Sequence, residues 1–195
     1  QRCPQSAVFP RDAEDVQTLA RVAAQPAHQS VKLTPRGGGT GTNGQSLTDG
    51  VVVDLSRHMN GILEINVAER WVRVQSGVVK DQLNAALKPH GLFFAPELST
   101  SNRATIGGMI NTDASGQGSC TYGKTRDHVL DLDTVLLGGG SVYSHVIDED
   151  TLNSAKAGSD RAAEVYRCAQ GIADDKAQLI KDIFPPLNRC LTGYD

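Results

Sequence analysis

The sequence predicts an α+β chain arranged as two small lobes, and three observations predict it. A glycine-rich stretch, residues 35–46, lies between two apolar β-leaning runs at 31–33 and 51–55. Two further pairs of β-leaning runs flank short turns, 62–67 with 70–76 and 129–137 with 141–147. Elsewhere apolar residues recur at helical spacing. A length of 195 residues allows one domain or two lobes. The expected division is 1–92, carrying the glycine loop, and 93–195, carrying a helical insertion at about 150–186.

Taken in order, Asp12 is a candidate N-cap for a helix whose inner face is Val16, Leu19, Ala20, Val22 and Ala23, stopped by Pro26. Asp12, Glu14 and Asp15 suit its positive end. A strand at 31–33 should enter the glycine loop and one at 51–55 should leave it. Ile62, Ile65 and Val67 face Trp71, Val72 and Val74 in a hairpin around Ala68 and Glu69. Trp71 reads as packing rather than as a cofactor stack. A short helix follows over 79–88, with Val79, Leu83, Ala86 and Leu87 inward, ended by Pro89 and Gly91. Adjacent Gly107 and Gly108 mark a place where a helix could begin. Strands 129–137 and 141–147 pair across Gly138, Gly139 and Gly140. Past Asp148 the pattern is helical, with Ala162, Val165, Tyr166, Ala169, Ile172, Leu179, Ile180 and Ile183, until Pro185 and Pro186.

Lys and Arg number 19 against 22 Asp and Glu, a net charge of −3 with no basic stripe. That argues against nucleic acid or a membrane surface as partner. No apolar run approaches the roughly 18 residues of a membrane span, and no signal-peptide-like start is present. Cys3, Cys120, Cys168 and Cys190 are scattered, without a Cys-x-x-Cys pair or a His at ligand spacing. They read as unpaired thiols of a reducing, cytoplasmic compartment, not as a metal site. The chain opens on Gln and ends at Asp195 without a tail, which suggests a piece of a longer protein. His28, His58, His90, His128 and His145 are isolated, and none is assigned a role.

The glycine loop carries the chemistry. Gly37, Gly38, Gly39, Gly41 and Gly44 fall within eight residues. Such a run suits a main chain that something must approach closely, and its N–H groups form a concavity for phosphate. Thr40, Thr42, Asn43 and Ser46 add neutral donors, and Arg36 a cation. Residues 39–44 fit the letters G-x-G-x-x-G. The run after them holds a turn and a strand, where a nicotinamide site needs a helix. Residues 118–125 fit G-x-x-x-x-G-K-[ST], a P-loop, but the polar run before them and the β-leaning run after them reverse the required order. A P-loop-type nucleotide module using residues 118–125, with Lys124 on a triphosphate, and a purely structural domain remain as alternatives. The block 96–129, with its small residues and Asp113, is ambiguous between a tight helix contact and a ligand wall.

Together, in this order and spacing, PRGGGTGTNGQS at 35–46, ATIGGMINTDASG at 104–116 and YGKTRDHVL at 122–130 resemble the FAD-linked oxidase family related to vanillyl-alcohol oxidase. The likeness runs over residues 6–147 and the closing LNRCLTGYD at 187–195, and is strongest to the D-2-hydroxy-acid dehydrogenase branch (D-lactate, glycolate and D-2-hydroxyglutarate dehydrogenases). It implies a PCMH-type FAD-binding domain of two α+β lobes with mixed or antiparallel sheets and FAD between them. It implies that Arg36, Gly37, Gly38, Gly39, Thr40, Gly41, Thr42, Asn43 and Ser46 cradle the pyrophosphate. Pro96, Glu97, Thr105, Gly107, Gly108, Asn111, Ala114, Ser115, Gly116 and Tyr122 would run along the flavin and its ribityl chain.

Gly39 stands where covalently tethering members place a His, so the resemblance implies a dissociable FAD. It also implies hydride transfer from a small 2-hydroxy acid to flavin N5 and electron flow to a further, unspecified acceptor. The substrate domain and a Gly-Ser-Glu-Gly-Thr-Leu-Gly-like segment would lie beyond this chain, so the piece alone is not expected to be catalytic. Large bacterial members with this insertion imply an iron–sulfur region further on. Association with the inner face of the membrane through the longer protein stays open. A bulky residue at Gly38 or Gly39 is expected to abolish FAD retention in the full-length protein with the fold kept, read from the flavin absorbance.

Overall fold

The structure is a computed structural model and describes residues 3–184. Seven strands and six helices follow one another as β1 (Ser6–Val8), α1 (Ala13–Ala23), β2 (Leu33–Arg36), β3 (Val51–Asp54), β4 (Ile62–Asn66), β5 (Trp71–Val74), α2 (Lys80–Leu87), α3 (Ile106–Asn111), α4 (Ser119–Tyr122), β6 (Leu132–Val135), β7 (Ser141–Ser144), α5 (Glu149–Ala157) and α6 (Arg161–Ile183). Short 3-10 turns stand at Pro26–His28, Lys88–His90 and Thr125–His128.

The first sheet has the order β1-β3-β2, and both pairings are parallel. Parallel neighbours need a crossover of a dozen or more residues, usually a helix. Between β2 and β3 that crossover is the glycine loop itself, residues 37–50. Pro35 is tolerated within β2 because β2 is the outer strand, where a missing donor costs no central rung. The strand expected at 31–33 is displaced. Val51 pairs with Leu33, and Val31 is 40% exposed outside the ladder. β1, three residues long, is too short to carry a periodic signal.

Asp12 caps α1 by accepting the Asp15 main-chain N–H at 2.9 Å. Ala20 and Ala23 are buried, whereas Val22 faces out. The hairpin β4–β5 is antiparallel, and Arg70 takes a left-handed φ of 59° at its turn. Trp71 donates its indole N–H to Glu69 at 2.6 Å, a local packing role. The main core joins Val78, Leu83, Leu87, Ala104, Ile106 and Met109, with Ile62, Ile65, Val72 and Val74 of the hairpin packed against it. α2 and α3 therefore share one core with β4–β5.

β6 and β7 pair antiparallel but are shorter than the apolar runs that predict them. Leu137 and Val146, outside the ladder, are 67% and 95% exposed. The turn between them docks on α1, where the Gly138 N–H donates to the Ala20 carbonyl at 3.2 Å. The Tyr166 hydroxyl ties α6 to β7 through the Tyr143 carbonyl at 3.0 Å. Ala163 is buried, but Ile172, Leu179, Ile180 and Ile183 are exposed. Pro185, Pro186 and the LNRCLTGYD run lie outside the described residues. Cys3, Cys120 and Cys168 are free and exposed, and Cys190 lies outside. No described helix is long and apolar enough to cross a membrane.

Asp148 caps α5, accepting the Thr151 main-chain N–H at 2.8 Å. Hydrogen bonds from the Thr151 side chain and then its main chain hold the Asp148 carboxyl below its ordinary value of 3.8. A depressed folded value supports the helix fully above the ordinary one and is lost as pH falls through the lower value. The Thr151 amide resonance should therefore titrate with a midpoint below 3.8, and Asp148→Asn, which still caps, should flatten that titration while keeping α5.

Candidate functional site

The loop that leaves β2 sheds its main-chain bonding at once. The Leu55 N–H donates to the Arg36 carbonyl at 3.0 Å, the last rung of the ladder. Among the described residues, none accepts a hydrogen bond from the main-chain N–H groups of residues 37–42. The side-chain oxygen of Gln45 takes the Asn43 N–H at 3.0 Å, and the Gly44 carbonyl takes that of Leu47 at 3.0 Å, which turns the loop back. Residues 37 and 40 are half-buried and 38, 39, 41 and 42 exposed, so these donors are open to water or to a ligand. A run of them along one loop is a place for an acceptor.

Two missing side chains let this loop lie on the second block. A Cβ at Gly38 would overlap the Arg103 carbonyl, and one at Gly37 would overlap the Thr105 hydroxyl. The close approach made at these two positions is thus to the chain's own residues 103–105. Gly39 has a φ of +63°, a left-handed conformation that an L side chain resists.

The opposite wall is α3. Thr105 caps it by accepting the Gly108 N–H at 3.4 Å. The Ile106 and Gly107 N–H groups donate to the Val78 and Ser76 carbonyls, both at 2.8 Å. Gly107 must lack a side chain because Ser76 occupies that space. The side chains of Asn111 and Thr112 donate back to the Gly107 and Gly108 carbonyls at 2.8 and 2.9 Å, which keeps this short helix wound.

Loop and wall enclose one cleft of about 540 Å³, in the size range of small-molecule sites, roughly 300–1,000 Å³. Of the residues singled out in the sequence it brings together Arg36, Gly37, Gly38, Gly39, Thr40, Gly41, Ser46, Thr105, Gly107, Gly108, Asn111 and Ala114. Thr42 and Asn43 stand on the same loop without lining it. Pro96 is buried, and the Glu97 carbonyl packs against Gly116. Ser115, Gly116 and Tyr122 continue the chain past Ala114 outside the cleft. Tyr122 meets Phe93 edge to face at 5.8 Å. Gln45, Leu55, Ser76, Leu98, Met109 and Thr112 also line the cleft. Ser76 followed by Gly77 was the one readable sign among these, a small pair closing a strand. The others look like ordinary core or loop residues.

The P-loop lookalike is overturned. Lys124 is 2% exposed, and its ammonium stands 3.0 Å from Asp113 Oδ2. The Thr125 hydroxyl and N–H both donate to the Ala114 carbonyl, at 2.7 and 3.2 Å. α4 has four residues and no strand feeds it. Neither Lys124 nor Thr125 can reach a triphosphate from there, because both side chains are committed to residues 113 and 114.

Comparison with known proteins gives the same place a family. The family described as FAD binding domain matches residues 4–144. The D-2-hydroxyglutarate dehydrogenase of Pseudomonas putida is 73% identical over the whole chain, which covers 19% of that protein. The glycolate oxidase subunit GlcD of Bacillus subtilis is 35% identical over 71% of the chain and 29% of its own length. Among solved structures, an alkyldihydroxyacetonephosphate synthase superposes with a TM-score of 0.63 at 25% identity, over 75% of this chain and 28% of that one. The fold is accordingly the PCMH-type FAD-binding fold. The chain spans about a fifth, 19%, of the length of curated relatives such as the Pseudomonas putida dehydrogenase.

The glycine contacts change what substitution should do. Gly38→Ala should destabilise the domain by about 1–3 kcal/mol, the usual cost of overpacking, because its Cβ meets a main-chain carbonyl. A bulky residue at Gly38 therefore does not leave the fold untouched. Gly41 meets the amide end of Gln45, a flexible side chain whose oxygen accepts the Asn43 N–H, so Gly41→Ala should cost no more than that one exposed hydrogen bond, about 1 kcal/mol or less. Urea unfolding of both variants checks the contrast.

Proposed function

The chain belongs to the FAD binding domain family, and on that premise we propose that it is the diphosphate-gripping part of a flavin-dependent dehydrogenase acting on a D-2-hydroxy acid. One observation carries the reading: the acceptor-less N–H groups of residues 37–42 open beside the small-residue wall of α3. Main-chain donors on a curved loop hold a diphosphate without any net positive charge, in keeping with a total of −3. Arg36 and Ser46 flank these donors. Thr105, Gly107, Gly108, Asn111 and Ala114 would lie along the rest of the cofactor, with Pro96, Glu97, Ser115, Gly116 and Tyr122 extending that wall.

Bound FAD would supply the two-electron acceptor for the hydride on the substrate's hydroxyl-bearing carbon. The chain's own part is to grip, orient and exclude water. Gly39 offers no side chain for a covalent link, so the FAD is held non-covalently. The 73% identity to a D-2-hydroxyglutarate dehydrogenase favours D-2-hydroxyglutarate over D-lactate or glycolate. The substrate-binding groups, the path to an electron acceptor and an iron–sulfur cluster belong to the remainder of a longer, cytoplasmic polypeptide. The division into lobes 1–92 and 93–195 is part of the same reading.

The purified full-length protein should be yellow and should release FAD on denaturation. D-2-hydroxyglutarate should bleach it and support dye reduction faster than D-lactate or glycolate. A colourless protein that takes up no FAD would overturn the flavin assignment. A yellow protein reduced best by another hydroxy acid would overturn only the substrate.

A further inference from the structure

Behind the α3 wall, and outside the cleft, lies a cluster of charge that the proposed reaction does not use. Asp113 and Lys124 are 4% and 2% exposed in their side chains and stand 3.0 Å apart. The other carboxylate oxygen of Asp113 accepts the Arg126 main-chain N–H at 3.1 Å, and the Arg126 guanidinium lies 3.5 Å from Oδ2. Asp113 has a left-handed φ of 42°, one of two non-glycine residues so placed among those described. Its neighbour Ala114 lines the cleft, and the carbonyl of Ala114 is held twice by Thr125.

We propose that Asp113 and Lys124 are positioning residues: their buried pair fixes the turn at residues 113–116, from which Ala114 lines the far side of the cofactor cleft. The inference rests on the flavin reading above. A buried ion pair is poor value as a stabiliser, since desolvation offsets the attraction, and an apolar pair of similar volume often serves as well. What an apolar pair does not provide is direction. The carboxylate of Asp113 draws together Lys124, the Arg126 N–H and the Arg126 guanidinium, so the turn between α3 and residues 124–126 has one geometry. That geometry aims Ala114 into the cleft and seats Gly116 against the Glu97 carbonyl. Loss of the pair should loosen this wall without removing a member of the hydrophobic core, which is built from Val78, Leu83, Leu87, Ala104, Ile106 and Met109 and includes neither partner.

The test uses the full-length protein. Lys124→Met alone leaves a buried carboxylate uncompensated and can unfold the domain. The decisive variant is therefore Asp113→Asn with Lys124→Met, which is uncharged and keeps a residue tolerant of left-handed φ. Melting temperature, FAD dissociation constant and amide exchange of residues 114–116 are measured on this variant and the wild type. The expected result is a melting temperature near wild type, faster exchange at 114–116 and FAD affinity lower by about tenfold or more, as for a site left loose by its supporting residues. A double variant that binds FAD as the wild type does overturns the proposal while the flavin reading stands. One that fails to fold also overturns it, because the pair is then a stability element. A wild type that takes up no FAD removes both.

Discussion

The contact of residues 37 and 38 with residues 103–105 is the constraint from which the cleft follows. β2 and β3 are adjacent and parallel, so the chain between them must climb out of the sheet and come back. In most proteins a helix makes that return and fixes its own path by internal hydrogen bonds. Here the path is set by contact with the strand-like run before α3. Side chains at Gly37 or Gly38 would lift the loop off that run, and the loop's donors would then no longer share a groove with Gly107 and Gly108. The cleft is a consequence of two elements being allowed to touch.

This also explains how an acidic domain can be built for an anionic group. The positive potential comes from N–H dipoles rather than from lysines, and among the described residues Arg36 is the one cationic side chain lining the cleft. Donors left without protein acceptors are costly in the absence of a ligand or water. The loop offsets part of that cost by lying at the surface, where residues 38, 39, 41 and 42 are exposed. Rigidity comes from the other wall, whose N–H groups are all engaged, by Val78, Ser76 and Thr105. One side of the groove waits for an acceptor and the other does not move.

The glycine run, the first hairpin, the helix capped by Asp12 and the meeting of the two small-residue blocks were legible in the sequence, because each is written in local chemistry. What the glycines do was only half legible. Gly37 and Gly38 are small to admit the protein's own backbone, while Gly39 needs its positive φ. Sequence cannot separate these two demands, since both read as Gly. The apolar run 129–137 overstates β6, because Leu136 and Leu137 continue the composition of a strand past the ladder's last pair, Val135 with Ser141, into the turn at Gly138 and Gly139. Asp113 and Lys124 were the least legible. Charged residues are surface residues in most contexts, and nothing at a spacing of eleven marks them as a buried pair.

The cleft's lining ends at Ala114, and the family match ends at residue 144, before α5 and α6 begin. Among the described residues, none of the helical insertion lines the cleft. α6 touches this framework through Tyr166 on β7, and its buried Ala163 packs beside Gly158, both in its first turns. Its later apolar residues, Ile172 to Ile183, carry the same helical periodicity but stand exposed. A helix whose first turns alone pack on the domain adds little to the domain's stability, since helices draw most of theirs from buried faces. The insertion and the cradle are accordingly separable in energy.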